Sequence, residues 1–72
     1  MTPAQSRLAR AALRWSIRET ATKANVSPST IVRFERGEDT LRSSAAKLER
    51  AYTNAGVQFI GRTGVKLAED ES

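Results

Sequence analysis

The side chains with the most chemical reach crowd into one stretch, NVSPSTIVRFERGE, from Asn25 to Glu38. Arg33 and Arg36 each carry a guanidinium, which can pair bidentately with guanine O6 and N7 or contact a phosphate. Ser27, Ser29 and Thr30 place short hydroxyls ahead of them. Glu35, Glu38 and Asp39 are the only clustered carboxylates ahead of the acidic C-terminal end, and the chain has neither His nor Cys. Zinc-finger chemistry, thiol nucleophiles and imidazole acid–base catalysis are therefore excluded, and an enzyme is a poor reading. No cofactor and no metal are expected. What remains is polar recognition.

The chain has 72 residues, the size of one small domain with a thin core. Twelve Lys and Arg against eight Asp and Glu give a net charge of +4. Residues 1–50 hold ten basic and five acidic side chains, whereas 51–72 hold two and three. The basic excess sits at the front, which suits a polyanion, although a small basic domain can use charge for solubility alone. The N-terminus has no apolar signal segment, and no run approaches transmembrane length. A soluble, cytoplasmic, nucleoid-associated protein is expected, and the lack of disulfides fits a reducing compartment.

Four helices must carry these groups. Thr2-Pro3-Ala4-Gln5 is a start signal, with Thr2 as N-cap and Gln5 closing a capping box. Ala9, Ala12 and Leu13 supply an apolar stripe with Leu8 at its edge, and the helix ends near Arg14. Ser16 and Glu19 cap a second, short helix, which Asn25 ends by its tolerance of the left-handed conformation. Ser27-Pro28 starts a third, with Val26 and Ile31 at the spacing of a hydrophobic staple, and Gly37 stops it. A fourth runs from about Leu41 to Ala55, with Leu41, Ala45, Leu48, Ala51 and Tyr52 on one face and Gly56 beyond. After Gly56 the period changes to two. VQFI-GRTG-VKL predicts a β-hairpin around a four-residue turn, with Val57, Phe59, Val65 and Leu67 on one side.

Ala21, a turn residue four positions on, then Ile31 and Phe34 form the helix-turn-helix spacing, with Ala24, Val26, Ile31 and Phe34 in the shared core. Trp15-Ser16, Ala21, Ala24, Val26-Ser27, Ser29-Thr30-Ile31 and Arg33-Phe34-Glu35-Arg36-Gly37 together resemble the Cro/phage-repressor type of helix-turn-helix domain, often called XRE-like, in its small bacterial form. The resemblance covers about residues 5–60 and is most specific over 26–37. It implies a mainly α, four-helix, lambda-repressor-like DNA-binding domain over 1–56. The hairpin over 57–67 and an acidic tail over 68–72 complete the chain.

In such domains the third helix enters the DNA major groove. The resemblance thus implies base contacts from Pro28, Ser29 and Arg33, assisted by Thr30 and Val32. Backbone contacts fall to Arg18, Ser27, Arg36, Arg42 and Ser43, and to the position of Ile17. Arg10 in the first helix is expected to pair with Glu35 and lock the recognition helix in place. Trp15 reads as a packing residue at the core edge, and Lys23, Lys47 and Arg50 as surface charge. Three positions depart from the family pattern. Ile17 stands where a DNA-bonding Gln is usual; it cannot bond a phosphate but can touch a thymine methyl. Thr20 replaces a core Leu, and Asn25 replaces a Gly.

A lone hairpin is marginal in water, so it must lie on the helices or on the same hairpin of a second chain. Pairing two hairpins edge to edge would bury Val57, Phe59, Ile60, Val65 and Leu67, and the open apolar edge favours that arrangement. The expected partners are double-stranded DNA, a second copy and RNA polymerase, with no membrane and no small-molecule effector. The function expected is sequence-specific regulation of transcription by a homodimer on a near-palindromic operator. Alternatives are a DNA-binding antitoxin, against which the short acidic tail counts, and an interaction adaptor that has lost DNA binding.

Overall fold

Three helices begin on a side-chain cap, and each of these three ends in a turn at positive φ. The computed structural model describes residues 1–68, with α1 at Pro3–Leu13, α2 at Ile17–Ala24, α3 at Pro28–Glu35 and α4 at Arg42–Asn54. Strands β1 at Val57–Ile60 and β2 at Gly64–Leu67 follow as an antiparallel pair. Thr2 with Gln5, and Ser16 with Glu19, form reciprocal capping boxes, and the Ser27 hydroxyl accepts from the Thr30 N–H. Asn25 and Gly37 turn the chain at positive φ, as does Arg14 at φ 59°. In each of these turns the next residue's N–H reaches back over the helix end: Trp15 to Arg10 O, Val26 to Ala21 O, and Glu38 to Arg33 O.

The core is built from small residues. Ala9, Ala21, Ala24 and Ala51 are buried with Ile31, Leu48, Tyr52 and Val57. Alanines allow close helix approach, so α2 packs on both α3 and α4 while α1 packs on α3. Thr20 is fully buried, and its hydroxyl donates to Ser16 O at 2.8 Å. The loss of a core Leu at this position is met by an internal hydrogen bond.

Two apolar stripes differ from expectation. In α1 the buried face is Gln5, Ser6 and Ala9, with Leu13 half-buried, while Ala12 and Leu8 are exposed. Polar groups sit inside because what they face is polar: Glu35, and the carbonyls of the hairpin turn. In α4 the stripe starts too early. Leu41 is the N-cap with extended backbone (φ −64°, ψ 140°), so its side chain leaves the helical register and is 72% exposed.

The hairpin lies on the helices. Val57 pairs with Leu67 and Phe59 with Val65, so these four share a face. Val57 is 2% exposed, Phe59 packs edge-on to Tyr52 with ring centroids 6.3 Å apart, and Val65 packs against the core. Gln5 fastens the turn: its Nε2 donates to Gly61 O at 2.9 Å and Gly64 O at 3.0 Å, and its Oε1 accepts from Thr2 N. The Thr2 hydroxyl donates to Arg62 O. The turn is one residue shorter than expected, because Gly64 pairs with Ile60 as the first residue of β2. A Cβ at Gly64 would stand 3.0 Å from Ile60 O, which explains the glycine. The dimer surface expected at 57–67 therefore splits. Val57, Phe59 and Val65 serve the chain's own core, and only Ile60 (55%) and Leu67 (42%) stay exposed. Of the acidic tail expected at 68–72, only Ala68 lies within the described residues, and its N–H bonds Gly56 O.

Tyr52 joins the core to the polar network. Its ring stacks on Trp15 at 6.0 Å, and its hydroxyl meets Ser6 Oγ at 2.9 Å. Burial pushes its pKa from 10.0 up to about 12; the Ser6 hydrogen bond opposes this and the nearby Glu35 carboxylate adds to it. The folded pKa is raised, so the unfolded chain releases this proton first. Stability from Tyr52 is full below about pH 10 and is lost as pH rises toward about 12. Urea unfolding followed across that window is expected to show a falling midpoint, and Tyr52→Phe to remove most of the fall.

Candidate nucleic-acid interface

Which face of α3 points outward is decided by what its inner face holds. Ile31 is fully buried and Phe34 packs against the core. Glu35 is tied to α1: its carboxylate accepts from Arg10 Nε at 2.8 Å, Arg10 Nη2 at 2.6 Å and Ser6 Oγ at 2.7 Å. Arg7 Nη1 also donates to the Glu35 carbonyl. The Glu35 and Arg10 side chains are 8% and 20% exposed, and the hydrogen bond to Glu35 raises the Arg10 pKa further. Every buried side-chain N or O among the described residues has a partner. Helix α3 is thus clamped to α1 by an ion pair. The added bonds from Ser6 and Arg7 escaped sequence reasoning, because nothing local marks Ser6 as buried.

With that face fixed, Pro28, Ser29, Arg33 and Arg36 are exposed, while Thr30 and Val32 are half-buried. At the N-terminus of α3, Ser27 Oγ meets Thr30 Oγ1 at 2.8 Å and Ser29 Oγ at 3.2 Å, so three hydroxyls and the first amides of the helix stand together. Such an end attracts anions. Arg18, Arg42 and Ser43 are exposed on α2 and α4. Ile17 is half-buried and packs on the core, which leaves it less free to meet DNA than the resemblance implies. Lys23 is more than surface charge, since its Nζ sits 5.2 Å from the centroid of the Trp15 ring.

Thr30, Arg33, Asp39, Thr40, Leu41 and Ser44 line an open groove of about 390 Å³ beside α3. Asp39, Thr40, Leu41 and Ser44 were not among the DNA-contacting residues expected from the resemblance. Arg33 Nη2 donates to Asp39 O at 3.3 Å, and its Nε stands 3.8 Å from Glu38 Oε1. Arg36 Nη1 lies 3.9 Å from the other Glu38 oxygen. A sequence signal for this cluster exists: a helix-ending glycine returns the chain over the last turn, which carries residue 38 back to residue 33. Among the described residues no group of three His, Cys, Asp or Glu side chains can hold a metal ion. No helix is long and apolar enough to cross a membrane.

A family model described as helix-turn-helix matches residues 7–53, from within α1 to nearly the end of α4. The chain belongs to the helix-turn-helix family, in its Cro/phage-repressor, XRE-like branch. It is a DNA-binding regulator of transcription, and the family is one of regulators rather than of enzymes. Comparison with curated proteins gives no match.

Proposed function

We propose that the chain acts as a homodimer on a near-palindromic operator, with α3 of each copy in a major groove. The observation that carries this is the clamped α3. Its inner face is held by Ile31, Phe34 and the Arg10–Glu35 pair, and its outer face offers Ser29 and Arg33 free of the core. An α-helix about 10–12 Å across fits a major groove about 12 Å wide. Arg33 reads guanine, Ser29 and Pro28 meet bases near the helix start, and Thr30 and Val32 support them from half-buried positions. Ser27, Arg18, Arg36, Arg42 and Ser43 contact phosphates and set the register, while Ile17 touches sugar or a thymine methyl. Residues 1–56 form the DNA-binding unit in this reading. Occupancy is the mechanism: the bound dimer blocks or recruits RNA polymerase.

A single unit reaches one half-site, which gives too little discrimination in a genome. A second copy joins through the hairpin. The Ala68–Gly56 bond sets the alternation of the antiparallel ladder, so Val57 and Phe59 turn their own N–H and C=O groups away from β2. Two such edges can pair across a dyad, with Ile60 and Leu67 as the exposed apolar groups to be covered. Selecting bound sequences from a random duplex pool tests the whole reading. The expected motif has two inverted half-sites about one helical turn apart. In sedimentation the parent chain is expected to run as a dimer, and Ile60→Asp and Leu67→Asp, both at exposed positions, as folded monomers. Dimers in both variants would remove the hairpin from the interface.

A further inference from the structure

We infer that Glu38 is a positioning residue for base readout. Together with the Asp39 carbonyl it holds one edge of the Arg33 guanidinium, so that the other edge faces the DNA. The inference rests on the proposed role of Arg33 and goes beyond it by naming what aims the side chain.

A guanidinium has a side edge, made by Nε and Nη2, and an end edge, made by Nη1 and Nη2. The chain uses the side edge in full elsewhere: Arg10 grips Glu35 with Nε and Nη2 together. Arg33 turns the same edge to the loop after α3. Its Nη2 donates to Asp39 O at 3.3 Å, and its Nε stands 3.8 Å from Glu38 Oε1. The end edge keeps an N–H on each terminal nitrogen, which is the pair that guanine O6 and N7 accept. The loop is itself fixed. Gly37 takes φ 79°, and the Glu38 N–H bonds Arg33 O at 3.0 Å, so the carboxylate is brought back over the residue it serves.

Glu38 also stands between two arginines, with Arg36 Nη1 at 3.9 Å from Oε2. A carboxylate there weakens the pull of both cations on any phosphate. The two effects reinforce each other in discrimination: readout by Arg33 is aimed, and sequence-blind attraction is reduced. Arg33, Arg36 and Glu38 side chains are 59%, 71% and 48% exposed, so these contacts contribute little to folding. A substitution at Glu38 therefore reports on binding rather than on stability.

The test uses the full chain and two duplexes, one selected by the parent from a random pool and one of the same length and composition with scrambled sequence. Glu38→Gln is expected to bind the scrambled duplex more tightly and to narrow the ratio of the two affinities about fivefold, the scale of releasing one ordered long side chain. Reselection with Glu38→Gln is expected to weaken the guanine preference that Arg33→Ala loses entirely, with unfolding curves unchanged. An equal shift on both duplexes, or a ratio that does not fall, overturns the positioning role while leaving Arg33 as the reader. A parent chain that enriches no motif, or an Arg33→Ala variant that keeps the guanine, overturns both.

Discussion

Glu35→Ala is expected to remove a large part of the domain's stability. Three donors converge on the Glu35 carboxylate: two from Arg10 and one from Ser6. Removing the carboxylate strands a guanidinium that is only 20% exposed and leaves Ser6 with Tyr52 alone. Breaking a buried pair by deleting one partner costs about 3–5 kcal/mol, and the partial exposure of Arg10 places this case near the lower end. A domain of this size has a total stability of about 4–11 kcal/mol on a per-residue scale, so the loss is a large part of the whole. Urea or thermal unfolding followed by circular dichroism measures it. Glu35→Gln, which keeps the shape and loses the charge, is expected to fall between the parent and Glu35→Ala. Replacing both partners, as Arg10→Met with Glu35→Leu, should recover much of the stability, because well-packed apolar groups often match a buried ion pair. A fully stable Glu35→Ala chain would mean that the clamp does not hold α3.

Arg33→Ala is expected to give the largest loss of sequence discrimination with no loss of fold, since the side chain is 59% exposed. One bidentate arginine–guanine pair is worth about 1–3 kcal/mol, which is roughly a five- to 150-fold weaker dissociation constant on the selected duplex. On a scrambled duplex the loss should be small, because only one cation among many has been removed, and the salt dependence should change little. Competition binding at fixed salt with both duplexes separates these outcomes. Equal weakening on the two would mark Arg33 as a phosphate contact and move base readout to Ser29 and its neighbours.

The helix boundaries were legible because their causes are local. Thr2-Pro3, Ser16 with Glu19, Ser27-Pro28, Asn25 and Gly37 act within one turn of themselves, and each does in the fold what its neighbours in the chain dictate. Arg14 was different. It adopts the same left-handed turn as Asn25, but an arginine carries no compositional signal for it; the backbone bond from Trp15 to Arg10 fixes it there. The buried Gln5 and Ser6 were illegible for a related reason. Their partners, Gly61 and Glu35, lie 56 and 29 residues away, so only the assembled fold makes a polar residue fit inside. Periodicity assigned Ala12 and Leu41 to buried stripes, and tertiary context overruled it at both.

At the candidate interface the outward residues of α3 could be read from the spacing of Ile31 and Phe34, which fixes what is left to face out. The loop opposite could be read only as far as Gly37 marks the reversal. Glu38 and Asp39 looked like carboxylates without work, because their relation to Arg33 depends on the reversal at Gly37 and on a backbone carbonyl that no sequence pattern displays.

The Gln5 fastening has a consequence for how the chain reaches this state. Each helix is held along its own length by bonds between neighbours in the chain, which form early and at little entropic cost. Joining Gln5 to Gly61 instead closes a loop of 56 residues, and Thr2 to Arg62 one of 60. That closure becomes affordable only when the helices have already shortened the distance between the ends. The strands are therefore expected to dock last in folding and to release first in opening, so that in the proposed dimer the helices form before the part that joins two copies.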